Sequence, residues 1–375
     1  MTLFRSALIT LCFISPFVSA DNDFFDNEIK AYMKANNVPA ISVGVIENGK
    51  VTFKHGYGVY NRNSDQAIKD DSLFQIGSQT KVLTSIITLA LIDEGRLSRT
   101  SSAAELLPDH FQAIEKNVLK NITIDTLLSH RSGLPNYPSN VTRVDGDAMK
   151  GGYSEAQLLT ALKTVELDHQ PNSKFAYSNF NYALLGYIAS RVSGKTYTQL
   201  VKHYINDGVA VNDVYVQLSP QLQKRLVTPY RKDQRDVATN AWDMGLLTPH
   251  GGAYASIDAM LELMKKQLIA YNNHSADKPT SPLFSSQVDY ATGLYDGLNY
   301  GYGMFSATPE LGLYPQTVYW HGGDLDGFGS EYVFAPQSNS GVVLLTSSGG
   351  REFVMLGRKL MRHLLAKGSE QKNNQ

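Results

Sequence analysis

Cysteine is almost absent: Cys12 is the single one in 375 residues. No intramolecular disulfide can form, and no zinc site can be built on thiolates. Excess charge is missing too, since 34 Lys and Arg face 35 Asp and Glu for a net charge of −1. With no long run of like charge, nothing draws the chain toward nucleic acid or an anionic membrane. The chain also lacks a long apolar run. Its most apolar N-terminal stretch, Ala7 to Val18, is interrupted by Pro16 and falls short of the roughly 20 residues a membrane span needs. No G-x-S-x-G elbow is present, which argues against a Ser-His-Asp hydrolase of the α/β type. Nor does any repeat of 20 to 50 residues' period occur.

What is present begins with a leader-like segment. Arg5 precedes the apolar run, Val18-Ser19-Ala20 offers small residues for signal peptidase, and Asp21-Asn22-Asp23 turns polar at once. Residues 1–20 are therefore expected to be a cleaved signal peptide. An uncleaved anchor is the alternative, and Leu11 before Cys12 argues against a lipoprotein. With Cys12 removed, the mature chain would hold no thiol nucleophile. A periplasmic or secreted bacterial protein is expected.

Residues 24–36 carry helical spacing, with Phe24, Phe25, Ile29, Tyr32 and Met33 on one side. Two strand-like runs, 40–46 and 50–60, flank Glu47-Asn48-Gly49, a hairpin signal. Ser78 to Glu94 predicts a helix capped by Gly95. From about 96 to 249 the pattern is mainly helical, at 123–128, 154–164, 182–192 and 198–205. Later come a helix at 257–271, strand-like runs at 317–320, 331–335 and 341–346, and a final helix at 353–365 before a polar tail. Strands at both ends with helices between predict an α/β (α+β) fold: one sheet from about 21–95 and 250–366, with a helical insertion.

Three motifs carry chemistry. Ser-x-x-Lys occurs three times, at Ser78, Ser275 and Ser369. Only Ser78 opens an apolar helix, through Val82, Leu83, Ile86, Ile87, Leu89, Leu91 and Ile92. At i and i+3 the hydroxyl of Ser78 and the amine of Lys81 share one face. A lysine in the first turn of a buried helix opposes the helix dipole and desolvation. Both lower its pKa, leaving an amine able to accept the Ser78 proton. The second motif is Tyr177-Ser178-Asn179, in a loop before a helix; the same spacing recurs at Tyr204 and Tyr271. A phenol near a lysine can be held partly as phenolate and relay a proton, and Asn179 can hold a substrate amide. The third is His321-Gly322-Gly323-Asp324 at the end of a strand-like run. Its glycines allow close approach to a substrate backbone, and the N–H groups of Asp324 and Ser78 could form an oxyanion hole.

In this order the three motifs make the chain resemble the serine β-lactamase and penicillin-binding superfamily. Within it the resemblance is to the class C β-lactamase-like branch, which includes D-alanyl-D-alanine carboxypeptidases, D-amino-acid peptidases and family VIII carboxylesterases. Supporting stretches are 122–135, with Ser129-His130-Arg131-Ser132-Gly133-Leu134-Pro135, as well as 184–188, 251–256 and 327–330. The resemblance implies a β-lactamase/transpeptidase-like fold, an antiparallel sheet flanked by helices with an all-helical insertion. It implies Ser78 as nucleophile, Lys81 as its proton partner and Tyr177 as general base or acid. It also implies substrate contacts from Asn179, His321, Gly322 and Gly323, with no metal or organic cofactor.

One departure bears on specificity. Where penicillin-recognising relatives place a hydroxyl residue between Lys or His and Gly, this chain has Gly322. A lost hydrogen bond to a charged carboxylate costs about 1.5–3 kcal/mol. An exported serine hydrolase of esters, amides or D-amino-acid peptides is therefore expected. A D-alanyl-D-alanine carboxypeptidase or weak β-lactamase is the nearer alternative, and a catalytically silent binding protein on the same fold the more distant one. Expected partners are small molecules, short peptides or peptidoglycan, not nucleic acid; oligomeric state is not legible.

Overall fold

The computed structural model describes residues 16–109, 118–142, 152–275 and 281–373; most of the expected signal peptide, residues 1–15, lies outside them. A helix, α1 (Pro16–Asn36), leads into β1 (Ala40–Glu47) and β2 (Lys50–Gly58). Asn48 and Gly49 both take positive φ, 49° and 78°, as a two-residue hairpin turn requires. After β3 (Phe74–Gln75) a 3₁₀ turn, Gly77–Gln79, enters α2 (Thr80–Asp93). Ser78 thus sits just ahead of the α-helix, not inside it. Gly95, with φ 69°, follows the end of α2 in the left-handed conformation that glycine adopts without strain.

The middle of the chain holds short helices at Ala103–Leu106, Ile124–Leu128 and Glu155–Lys163, then α3 (Asn179–Ser193). The helix at Tyr197–Leu200 widens into a π-helical turn over Val201–Gly208. The expected all-helical insertion needs one correction: it contributes β4 (Val214–Tyr215), which joins β5 (Tyr254–Ala255) and β3 in a three-stranded sheet. Two-residue strands have no periodicity to read, so only pairing reveals them.

Next come α4 (Ile257–Asn272), β6 (Ala291–Tyr295), β7 (Leu298–Tyr300) and β8 (Phe305–Ala307). Then follow β9 (Val318–Trp320), β10 (Gly323–Leu325), β11 (Phe328–Ala335), β12 (Ser340–Thr346) and α5 (Arg351–Asn373). Among the described residues the main sheet runs β2-β1-β12-β11-β9-β8-β7-β6, with β10 paired to β11. Every pairing in it is antiparallel. The N- and C-terminal parts meet where β1 pairs β12, Val43 opposite Leu344.

Period-two alternation divides the core. Ile41, Val43 and Val45 on β1, with Val342 and Leu344 on β12, pack with Phe25 and Ile29 of α1 and Phe353 and Leu360 of α5. Val343 and Leu345 turn the other way, into the larger core with α2, α3 and α4. The final helix extends beyond the expected 353–365 into the polar tail, as far as Asn373, and Met355 is one of its exposed residues. Among the described residues no helix is long and apolar enough to cross a membrane.

The loop over 129–136 is shaped by Gly133, at φ 81°, where an added Cβ would stand 2.0 Å from the His169 carbonyl oxygen. Gly133→Ala is expected to lose about 2–4 kcal/mol of unfolding free energy, from left-handed strain plus displacement of that backbone. Urea denaturation checks this; a loss below about 0.5 kcal/mol, the level of an ordinary surface substitution, would refute it.

Candidate active site

Ser78 is held by its neighbours before its own side chain does anything. Ser330 Oγ donates to the Ile76 carbonyl at 2.7 Å, and Gln79 Nε2 donates to the His321 carbonyl at 3.1 Å. These bonds fasten the nucleophile turn to the edge where β9 passes into β10. The approach is close enough to demand glycine at 323, where a Cβ would lie 2.0 Å from the Ile76 carbonyl oxygen, and it is tight at Gly77, where one would lie 3.1 Å from Asp324 N. The backbone at Gly77-Ser78 and the amide of Asp324 therefore face each other across a narrow gap, where a carbonyl oxygen could be held by two N–H groups.

One turn on, Lys81 is fully buried. Its Nζ lies 3.0 Å from Ser78 Oγ, and it donates to Asn179 Oδ1 at 2.7 Å and to the His250 carbonyl at 2.7 Å. None of the three partners is an anion. Burial accordingly drives its pKa well below the usual lysine value. Two N–H groups go to acceptor-only oxygens, so the third direction, toward Ser78, is free to be a lone pair.

Tyr177 closes the cluster. Lys81 Nζ stands 4.9 Å from its ring centroid. Burial raises the phenol's pKa, and its contact with the Ser78 hydroxyl only partly opposes this. The expectation of a partial phenolate is thereby corrected: desolvation outweighs the nearby groups, and Tyr177 rests as a neutral phenol.

Asn179 lies in the first turn of α3, after Ser178, an extended N-cap whose side chain accepts from Asn181 N. Its amide is already engaged, Oδ1 by Lys81 and Nδ2 by Asn136 Oδ1 at 2.9 Å. The same Asn136 oxygen accepts the Asn179 backbone N–H at 3.2 Å, which fixes the amide with its oxygen toward the lysine. In the sequence Asn136 stands out only by following the Gly133-Leu134-Pro135 turn. His130, from the same stretch, is fully buried. It brackets Tyr177, its carbonyl accepting from Ala176 N at 2.8 Å and its Nδ1 from Ser178 N at 3.1 Å. Its ring packs on that of Tyr177 at 4.4 Å between centroids.

His321 is buried, with its ring 6.1 Å from that of Tyr177. Burial lowers its pKa to about 3, so it supplies no cation. Gly322 turns away from the cluster: a Cβ there would meet Glu331 Oε1 at 2.6 Å. Glu331 is itself buried, which raises its pKa to about 8. Asp324 points outward to an ion pair with Lys232 at 2.9 Å.

An antiparallel sheet backed by helices, with a serine turn and a buried lysine at its edge, defines the serine-hydrolase fold of the β-lactamase and penicillin-binding type. The family profile described as Beta-lactamase matches residues 25–366, and the chain belongs to that family. Protein flp of Staphylococcus aureus (strain MW2) is 27% identical over 346 residues, covering 90% of this chain. The chain spans 65% of that relative's own length. A Beta-lactamase from Providencia stuartii is 24% identical over 244 residues, 65% of this chain and 59% of the relative. The fold is shared with the octameric penicillin-binding protein homologue from Pyrococcus abyssi, at TM-score 0.76 and 20% identity, over 92% of this chain and 77% of that one.

Because Lys81 binds its proton less tightly folded than unfolded, the unfolded chain holds more protons below the unfolded value of 10.5. Stability contributed at this position must then rise with pH through that window. Relative to Lys81→Met, the wild type is expected to gain up to about 1.4 kcal/mol per pH unit as pH climbs toward that value. Urea titrations of both proteins at several alkaline pH values check this; a difference independent of pH would show that Lys81 keeps its proton.

Proposed function

We propose that this protein is a serine hydrolase working through an acyl-enzyme on Ser78. The observation that carries the reading is the buried Lys81 amine, 3.0 Å from Ser78 Oγ with no counter-anion among its hydrogen-bond partners. Ser78 Oγ attacks the substrate carbonyl carbon while its proton passes to Lys81. Negative charge on the carbonyl oxygen is met by the N–H groups of Ser78 and Asp324. As the bond to the leaving group breaks, the Tyr177 hydroxyl gives that group a proton and is reprotonated from the Lys81 ammonium. Water, activated by the same groups in reverse, then releases the acid and restores Ser78.

The substrate is proposed to be an ester, amide or D-amino-acid peptide, in preference to a β-lactam. At the His-Gly-Gly element burial leaves His321 neutral, so a β-lactam carboxylate meets no cation there, and position 322 faces Glu331 behind the strand instead of the cluster. A catalytically silent protein would have no need of a desolvated lysine aimed at a serine.

A short-chain p-nitrophenyl ester is expected to leave its acyl mass on the wild type and none on Ser78→Ala, read by intact-protein mass spectrometry. Equal adducts on both would remove Ser78 as nucleophile. The acylation rate should rise with pH and level off below 10.5, as Lys81 loses its proton, and Lys81→Ala should lower it by about 10²–10⁴. Nitrocefin is expected to show a kcat/KM at least about tenfold below that of the ester; parity in a side-by-side assay would overturn the substrate preference. Export is proposed from residues 1–20, and protein recovered from its native cells should begin at Asp21 on N-terminal sequencing; an intact leader would reverse it.

A further inference from the structure

The cluster around Ser78 offers a substrate no fixed charge, because burial holds Lys81, His130 and His321 neutral. Positive charge lies next door. Beyond the Tyr177 ring, Phe305 stacks at 6.4 Å between centroids with the planes 12° apart. Phe175, two residues before Tyr177, packs on Phe305 at 6.1 Å. These two phenylalanines also line a cleft of about 590 Å³, together with Tyr290 and the edge strand β6. Its volume falls within the roughly 300–1,000 Å³ of sites that take a small organic ligand.

Among the described residues lining this cleft, Arg131 and Lys174 alone are charged. The Arg131 guanidinium donates to the carbonyls of Asn172 at 3.0 Å and Tyr290 at 3.5 Å. It is tethered by neutral oxygens, and among the described residues no carboxylate neutralises it. Lys174 is exposed and likewise has no ion-pair partner among the described residues. Tyr290 is fixed in turn, stacked on Tyr302 at 3.6 Å with the Arg99 guanidinium 5.1 Å from its ring. The cleft is thus aromatic beside Tyr177 and carries two cations that no carboxylate among the described residues balances.

We propose that this cleft receives the leaving portion of the substrate, and that this portion is apolar next to the scissile bond, anionic at its far end and longer than a single terminal amino acid. The inference rests on the acyl-enzyme reading, in which Tyr177 protonates the leaving group. A group departing there passes over Phe305, and its distal anion meets Arg131 and Lys174.

Two acetyl esters test this: that of phloretic acid, a phenol with a propionate chain para to the hydroxyl, and that of its N-methyl amide. The two methylene groups insulate the phenol, so the leaving groups are nearly equal in acidity and differ in distal charge. The wild type is expected to favour the anionic ester by about tenfold in kcat/KM, less at high salt. Lys174→Ala should erase most of that preference and Lys174→Glu reverse it, with the neutral ester unchanged. O-acetyl-lactate, whose carboxylate sits one carbon from the scissile oxygen, should be indifferent to Lys174→Ala. Equal wild-type rates on the phloretate pair, or equal losses on both in Lys174→Ala, would overturn the cleft assignment while leaving Ser78 acylation standing. If no ester acylates Ser78 the enzyme reading fails, and the cleft is judged by calorimetric titration with free phloretate. Binding to wild type that weakens in Lys174→Ala supports it; no binding, or equal binding to both, refutes it.

Discussion

The desolvation of one amine organises the rest of the site. Lys81 lies in the first turn of a buried helix without a counter-anion among its hydrogen-bond partners, so water has been replaced by two neutral oxygens and a serine hydroxyl. An isolated buried ammonium is far costlier than a buried amine, and the group answers by giving up its proton. Each supporting residue has meaning through that fact. The His250 carbonyl and Asn179 satisfy the amine's N–H groups, and Asn136 keeps the Asn179 amide from presenting its NH₂ side to the lysine. An acid among those partners would restore the proton and remove the base.

The same burial extends to neighbouring groups and shapes what the site can recognise. His130 is spent on main-chain bonds around Tyr177, and His321 is too deeply placed to become a cation. The interior is therefore a place for proton transfer among neutral groups, with charge confined to its margins. This division separates two tasks that oppose each other electrostatically. A fixed cation beside Lys81 would favour acylation but would also pull anionic product back onto the nucleophile. A cation displaced beyond Phe305 can select a substrate without entering the chemistry.

Rigidity comes from the sheet edge. Ser330, Gln79, Gly77 and Gly323 bring the serine turn against β10, at a distance that excludes a side chain at Gly323. Backbone amides placed in this way need no rearrangement when charge develops on a bound carbonyl oxygen. Gly322, in contrast, is kept small from behind by Glu331. The absence of a hydroxyl in the third motif is thus tied to packing on the far side of the strand.

Much of this was legible in the chain. Asn48-Gly49 gave the hairpin, the helical spacing after Ser78 gave a buried helix, and Ser78, Lys81, Tyr177 and His321 were recognisable as parts of one pattern. Such features are local: turn chemistry, periodicity and short spacings are written in consecutive residues. Less visible were β6, β7 and β8, three to five residues each and too short for a periodicity, although Asp296-Gly297 between β6 and β7 is a hairpin signal. Others left no sequence signal at all. That the His250 carbonyl holds Lys81, that Asn136 orients Asn179, that Tyr177 stays protonated and that Arg131 meets Lys174 across a cleft all depend on residues 40 to 170 positions apart, as with the 169 between Lys81 and His250. By itself the sequence determined which groups were available and which helix would be buried. Only the tertiary structure decided their protonation and partners, because desolvation and main-chain hydrogen bonds are set by what packs around a group and not by what precedes it in the chain.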